Sequence, residues 1–366
     1  AKIRQSHWAD DGTARKPGVG SKSDSTSKRV WKVLKPLLIT LILGYFGWLL
    51  FTKNLQNVTW EGLTDALANV RAWRIALAVA LTGLNYLVLI GYDAIALKYL
   101  EHSLSASRTA FGSIVGYAFS HNFGWIAGGS AVRFRLYSQW GFSPLEIAKL
   151  IATLTITFWV GVFTLAGVAF VVRPPQLPKT ILEYLPTWLP LQTAFPLGVV
   201  SLAIIAGYLT LCAVWHRPIV FRVRKFVPPP FFLSIIQILV ASVEQFLAAA
   251  IFYVLLPDDV RLHLNFLDAL NVYLMFTVIA ALLHIPGGVV VLEKIVLDFI
   301  PTESQSALAA SIVLYRLIFY LLPLAVAGML LLGYEVRRTS ETPPESHSAL
   351  ATKRTLVAKR RKRSSR

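Results

Sequence analysis

The sequence has little charge and almost no cysteine for its length. Only 15% of its 366 residues are charged, whereas 55% are hydrophobic. Soluble domains carry about 25% charged residues, so this composition excludes an ordinary set of soluble domains. The single cysteine, Cys212, cannot form an intrachain disulfide, and because it lies in an apolar run we expect a small buried side chain.

Motifs of the common enzyme classes are also missing. The sequence has no phosphate-binding P-loop, no paired histidines at metal-ligand spacing and no nucleophile elbow. The histidines are scattered, at positions that include His102, His121, His216, His263, His284 and His347. We therefore expect a protein that is not an enzyme and that needs no metal or other cofactor.

Long apolar runs dominate what is present. Each has about 20 residues, the length that a helix needs to cross a hydrocarbon core of about 30 Å. Six such runs lie at residues 33–51, 75–97, 147–172, 195–215, 231–256 and 306–334. With two further segments interrupted by glycine, they predict an all-α polytopic membrane protein with about six full spans and eight hydrophobic segments.

The positive charge is concentrated at the two ends of the chain. The net charge is +17, and residues 1–35 hold nine Lys or Arg against three Asp, while residues 337–366 hold ten against two Glu. We expect disordered cytoplasmic tails at 1–32 and 337–366 around a membrane domain at 33–336. Such tails bind anionic lipid of the cytoplasmic leaflet. We expect no nucleic-acid partner, because no folded module is present to hold the tails.

The distribution of basic residues also predicts the topology. Basic loops next to spans stay in the cytoplasm, so the loop 217–225 should lie inside and the connections 52–73 and 173–190 outside. We expect a short interfacial helix in the first connection. The loop lies inside only if the segment 107–140 enters and leaves the membrane on the cytoplasmic side. By the same logic the segment 266–301 enters from outside, and both termini are cytoplasmic.

Glycine is concentrated in the middle of both predicted hairpins. Broken helices at membrane depth are tolerated only when buried in protein or lining a cavity. The hinge residues are Gly128 and Gly129, next to Gly124, in the first hairpin, and Pro286, Gly287 and Gly288 in the second. The order of span, hairpin and span occurs twice with opposite entry, which predicts an inverted-topology repeat with its site between the breaks. The alternative is that these glycines are ordinary sites of close helix packing.

Polar side chains surround the first break. The candidate substrate-binding residues are His121, Asn122, Arg133, Arg135 and Tyr137. Arginine within a membrane segment is unfavourable by about 2.5 to 3.5 kcal/mol on insertion scales, which suggests an anionic partner. Arg133 and Arg135 could bind a lipid phosphate bidentately. Alternatively, both could extend to the cytoplasmic headgroups.

Ionisable groups also occur near the second break and within spans. We predict that Glu293, in the second turn after the break, pairs with Arg316 of the last span. That pair either locks the bundle or takes part in gating or proton coupling. Glu244, which lies centrally in its span, is a further candidate for gating or an ion pair. Asp93 is another such candidate, and because it lies near the cytoplasmic end of its span, simple hydration is the alternative.

The sequence resembles the transmembrane region of the lysylphosphatidylglycerol synthase/flippase family, and in particular its stand-alone bacterial inner-membrane members. The matching stretches are residues 91–93, 116–119, 128–138 and 284–293, together with Tyr315, Arg316, Tyr320 and Pro323. In two-domain relatives this region is associated with moving aminoacylated phosphatidylglycerol between leaflets. The resemblance thus implies a lipid translocase of the bacterial inner membrane without synthase activity. The alternative is a non-transporting scaffold that docks lipid-synthesis enzymes through its tails.

Overall fold

The computed structural model describes residues 60–176, 193–215, 219–221, 224–226, 228–282, 286–288 and 291–341. The first predicted span at 33–51 and the N-terminal tail lie outside the described residues. The same holds for His284, for most of the connection 173–190 and for residues 342–366.

Helices account for nearly all of the described residues. They are α1 (Trp60–Ala68), α2 (Ala72–Tyr99), α3 (Ala106–Phe123), α4 (Ala131–Gln139), α5 (Pro144–Val172), α6 (Phe195–Val214), α7 (Phe231–Leu255), α8 (Asp258–His263), α9 (Phe266–Leu282), α10 (Val291–Phe299), α11 (Gln305–Tyr315) and α12 (Leu322–Glu341). A short antiparallel ribbon, β1 (Ile219–Phe221) and β2 (Arg224–Phe226), lies within the predicted basic loop.

Five helices in the described part of the chain are long and apolar enough to cross a membrane. They are α2, α5, α6, α7 and the continuous helix Gln305–Arg337 formed by α11 and α12. These five coincide with five of the six predicted full spans, because apolar length alone sets them. The last helix continues to Glu341, beyond the predicted domain boundary at residue 336.

The segment between α2 and α5 folds back on itself as a helical hairpin. Helices α3 and α4 pack antiparallel, since Gly112 faces Tyr137 and Gly116 faces Arg133 further along. Both ends of this first hairpin meet, where His102 Nε2 lies 2.9 Å from Glu146 Oε1. Ser143 and Glu146 form a reciprocal capping box that starts α5 at this point.

The segment between α7 and α11 forms a second hairpin from α9 and α10. Gly288 at its break lies so close to the ring of Phe276 that a Cβ atom would be 2.5 Å from it. The two ends of this hairpin also meet, because Thr302 Oγ1 donates a hydrogen bond of 3.0 Å to Asp259 Oδ2.

The bases of the two hairpins lie at opposite ends of the bundle. Arg74, at the start of α2, pairs with Asp258 beside the base of the second hairpin. Hydrogen bonds from Arg261 and Arg74 lower the pKa of this exposed Asp258 carboxyl. Glu335, near the end of α12, pairs with Arg135 at 2.6 Å beside the base of the first hairpin. Helix α2 therefore runs from the base of the second hairpin to the base of the first, and the last span runs in the same direction.

Candidate functional site

A buried ion pair joins the first hairpin to α2. Arg133 Nη2 lies 3.2 Å from Asp93 Oδ2, and both side chains are 0% exposed. The hydroxyl of Tyr137 donates a hydrogen bond of 2.9 Å to Asp93 Oδ1. Asp93 thus belongs to an ion pair, as one interpretation predicted, and the alternative that it is hydrated is wrong, because the hairpin packs over it and excludes solvent.

Aromatic rings and a glycine shape the space around the Arg133 guanidinium. Its Cζ atom lies 4.4 Å from the ring centre of Tyr117 and 5.5 Å from that of Trp125, within cation–π distance. A Cβ atom at position 116 would come within 2.6 Å of Cζ, so Gly116 provides the room that the guanidinium occupies. The first hairpin thus holds a cation against electron-rich faces in its interior.

The structure separates Arg133 from Arg135, which were predicted to bind one phosphate together. Arg135 is 57% exposed and pairs with Glu335, whereas Arg133 points into the protein interior. Residues two positions apart on a helix lie about 200° apart around its axis and do not share a face. The two arginines therefore do not form a single bidentate site here.

The second break is held by Arg316, which contacts Glu293 as predicted. Arg316 Nη2 lies 3.1 Å from Glu293 Oε1, and Nε is at the same distance. The guanidinium also donates to the carbonyl oxygens of Gly287 and Gly288, the latter at 3.0 Å. Glu293 lies in the first turn of α10, not the second. A single side chain thereby binds both the carboxylate and two backbone carbonyls at the break.

Arg316 begins a π-helical turn, Arg316–Leu321, within the last span. Pro323 follows this turn, and proline has no amide hydrogen to donate to the carbonyl four residues earlier. A wider turn before the proline relieves the clash that its ring would make with that carbonyl. Such π-turns often occur at functional sites.

The two breaks are connected through this π-turn. The His121 ring stacks on Phe319 with centroids 5.4 Å apart. Asn122 Nδ2 donates a hydrogen bond of 3.0 Å to the carbonyl oxygen of Tyr320. Tyr320 in turn lies under Arg316, 4.8 Å from its Cζ atom. Two of the residues predicted from the first break, His121 and Asn122, are therefore brought against the element that holds the second.

Gly128 and Gly129 lie where the first break packs against α3. A Cβ atom at Gly128 would collide with the carbonyl of Phe119, and one at Gly129 would collide with the side chain of Ser120. The chain turns at Gly124 with φ 81° and then makes a π-helical turn, Trp125–Ser130. Close packing is thus a sufficient reason for both glycines, and a hinge role remains a prediction.

Glu244 forms a third polar cluster between α7 and α2. Its Oε2 atom accepts hydrogen bonds from Tyr92 at 3.2 Å and from Gln245 at 2.6 Å. Asn85 Nδ2 donates a hydrogen bond of 2.9 Å to the backbone carbonyl of Glu244. The Tyr92 ring packs edge-on against Tyr117, which links this cluster to that of Arg133.

Sequence reasoning missed the polar side chains that line this region without being charged. They are Asn85, Tyr86, Tyr92, Tyr117 and Gln245. Among the described residues, the buried atoms Tyr86 OH, Tyr117 OH, His121 Nδ1, Arg133 Nε and Arg133 Nη1 have no hydrogen-bond partner. Tyrosine is common in helix cores, so its type alone gave no signal of a site. No group of three potential metal ligands occurs in the part of the chain that the structure describes.

Fold and site together define a class: a helical membrane protein in which two broken helical hairpins surround buried charges. No family model matches the chain. It is 36% identical to the uncharacterized protein slr0712 of Synechocystis sp. over 288 residues. These residues are 78% of this chain and 86% of slr0712. It is 29% identical to the inner membrane protein YbhN of Escherichia coli over 307 residues. These residues are 83% of this chain and 93% of YbhN. The chain belongs to the family that includes slr0712.

Proposed function

We propose that the protein moves a phospholipid, or another lipid with a phosphate headgroup, between the leaflets of the bacterial inner membrane. The headgroup passes along the polar side chains between two re-entrant hairpins, while its acyl chains stay in lipid. The resemblance to the lysylphosphatidylglycerol synthase/flippase transmembrane region supports this proposal. The similarity to YbhN, whose name places it in the inner membrane, supports the location.

The observation that carries the proposal is the set of unpaired polar atoms inside the first hairpin. Arg133 uses Nη2 for Asp93, and neither Nε nor Nη1 has a partner among the described residues. The Tyr117 hydroxyl beside it is also unpaired. Each buried unpaired polar group is unfavourable by about 1 to 3 kcal/mol. A phosphate that entered the hairpin would offer acceptor oxygens to these donors, and its binding would remove that penalty.

The two ion pairs suggest how the path is controlled. Arg133 would turn part of its guanidinium from Asp93 to the phosphate as the headgroup enters. Arg316 and Glu293 would act as the gating pair, because their separation frees the carbonyls at the second break to rearrange. Since the π-turn joins both breaks through His121, a shift at one hairpin reaches the other.

The alternative function is a scaffold that docks lipid-synthesis enzymes. Its support is that the buried charges Asp93, Arg133, Glu293 and Arg316 are already paired, as in a rigid core. A rigid core would not, however, retain several unpaired donors at one place. We therefore favour transport, with anionic lipid at the cytoplasmic leaflet as the partner of the basic tails.

Transport requires a phosphate-binding arginine, and the two neighbouring arginines provide a matched pair of variants. In reconstituted vesicles, Arg133→Lys should slow the transfer of a labelled phospholipid between leaflets by about tenfold. Lysine keeps the charge but loses the planar fork, and the loss of one charge-assisted hydrogen bond is about 1.5 kcal/mol. Arg135→Lys, on the exposed face of the same helix, should transfer lipid at the parent rate. Equal rates for all three proteins would refute a phosphate site at Arg133.

The proposed topology places both termini, the ribbon and the base of the first hairpin in the cytoplasm. Two exposed positions report on it, Ser107 at the base of the first hairpin and Glu303 at the base of the second. In a Cys212→Ser background, Glu303→Cys should react with an impermeant maleimide in intact cells. Ser107→Cys should react only after the inner membrane is permeabilised. Labelling of both positions from the same side would exclude the inverted arrangement.

A further inference from the structure

Three carboxyl side chains are buried in the part of the chain that the structure describes: Asp93, Glu244 and Glu293. Two of them face an arginine, because Asp93 pairs with Arg133 and Glu293 pairs with Arg316. Glu244 is 4% exposed and has no cationic partner among the described side chains. An ionised carboxylate in such a position is strongly unfavourable without a counterion, so the group binds a proton or a cation instead.

The groups that face Glu244 are neutral. Tyrosines approach it from four elements: Tyr86 and Tyr92 from α2, Tyr117 from α3, Tyr273 from α9 and Tyr320 from the π-turn. Helices α5 and α6 also pack against α7, and there Thr157 and Tyr208 hydrogen-bond Gln237, two turns from Glu244. Tyr117 and Tyr320 in turn contact the cations Arg133 and Arg316, and each of these already has its own carboxylate partner.

The donors and acceptors around Glu244 favour its protonated form. Glu244 Oε2 accepts from Tyr92 and Gln245. The amides of Asn85 and Gln245 hold Glu244 through their nitrogens, and their oxygens have no donor among the described residues. A carboxylic acid adds one O–H donor to a cluster that has two unused acceptors, whereas a carboxylate adds only another acceptor.

We propose that Glu244 is a proton-binding site, and that its carboxyl exchanges a proton during the transport cycle. The second part rests on the proposed translocase function. When the headgroup separates the hairpins and admits water, the O–H bond of the carboxyl breaks and the proton leaves to that water. When the hairpins close again, a proton from water of the opposite compartment restores the neutral acid. Lipid movement would then be coupled to a proton gradient.

The binding site is tested on the purified protein by infrared spectroscopy at several values from about pH 5 to about pH 9, with the parent and variant spectra compared at each pH. Exposed carboxyl groups titrate near pH 4 and are ionised throughout this range. The parent should show the carbonyl stretch of a protonated carboxyl, and Glu244→Gln should lack it. Glu303→Gln removes an exposed carboxyl at a hairpin base and should keep the band. Glutamine replaces the acid with a neutral group of the same shape, so circular dichroism should show that both variants remain folded.

Coupling is tested in vesicles that carry a pH difference across the membrane. The parent should transfer labelled phospholipid severalfold faster in one direction when the gradient is applied, and Glu244→Gln should show no response to the gradient.

A parent spectrum without a protonated band, or a band that persists in Glu244→Gln, would overturn the proton site. Loss of the band on addition of sodium chloride in place of choline chloride would assign the site to a metal cation and overturn it as well. Absence of lipid movement in the parent would instead reject the translocase function and the coupling, while leaving the spectral result intact.

Discussion

Replacing Asp93 by alanine is expected to lower the free energy of unfolding by about 3 to 5 kcal/mol. The variant leaves the Arg133 guanidinium buried without its counterion, and removing one partner of a buried pair carries a penalty of this size. Tyr137 also loses the acceptor for its hydroxyl. The change removes little volume, so the loss is electrostatic and not a matter of packing.

This prediction is tested by unfolding in mixed detergent micelles, monitored by circular dichroism. Arg135→Ala is the matched control, because its partner Glu335 is about one third exposed and an exposed pair contributes about 0 to 1 kcal/mol. Adding Arg133→Met to Asp93→Ala should recover much of the lost stability, since no uncompensated charge then remains. If Asp93→Ala and Arg135→Ala have equal small effects, the buried pair does not stabilise the fold as described.

The membrane-spanning helices could be predicted because lipid imposes a length and an apolar composition on each. The five spans among the described residues required nothing beyond counting apolar residues. The hairpin breaks could also be found, since glycine and proline are concentrated there. The ribbon within the basic loop was missed, because a pair of three-residue strands has no hydrophobic pattern long enough to detect.

The partners of the charged residues were harder to predict. Glu293 and Arg316 could be matched because both belong to neighbouring segments and each needs an opposite charge. Asp93 and Arg133 are 40 positions apart, and which face of α2 meets the hairpin depends on helix rotation that composition does not reveal. Helical geometry alone, however, argues against a joint site for Arg133 and Arg135, since positions i and i+2 face different sides.

The positions of the hairpin bases explain how the three polar clusters are arranged. Each hairpin starts and ends at one end of the bundle, and its break reaches toward the middle. Helices α2 and α7, which carry Asp93 and Glu244, pack against each other between the hairpins and supply the remaining polar groups. In the proposed transport function, a headgroup would pass both breaks, which the aromatic contact of His121 with Phe319 links.

Replacing Arg316 by methionine is expected to be as damaging as the loss of Asp93, and more damaging than the loss of its own partner. Methionine leaves Glu293 buried without a counterion and leaves the carbonyls of Gly287 and Gly288 without a donor. We expect a loss of about 3 to 5 kcal/mol. In Glu293→Gln the guanidinium keeps both carbonyl acceptors and gains a neutral amide oxygen, so we expect about 1 to 3 kcal/mol.

The two variants should differ in stability because Arg316 both neutralises Glu293 and binds the two carbonyls at the break. Unfolding in mixed micelles measures the difference in their free energies of unfolding. Arg173→Met is the control, because Arg173 is 54% exposed and its salt bridge to Asp268 should contribute about 0 to 1 kcal/mol. Amide hydrogen exchange at Val291 and Leu292 should quicken in Arg316→Met and change less in Glu293→Gln, since only the first variant releases the break that precedes α10. Equal destabilisation by the two variants, with equal exchange, would show that Arg316 acts only as the counterion of Glu293 and does not hold the second break.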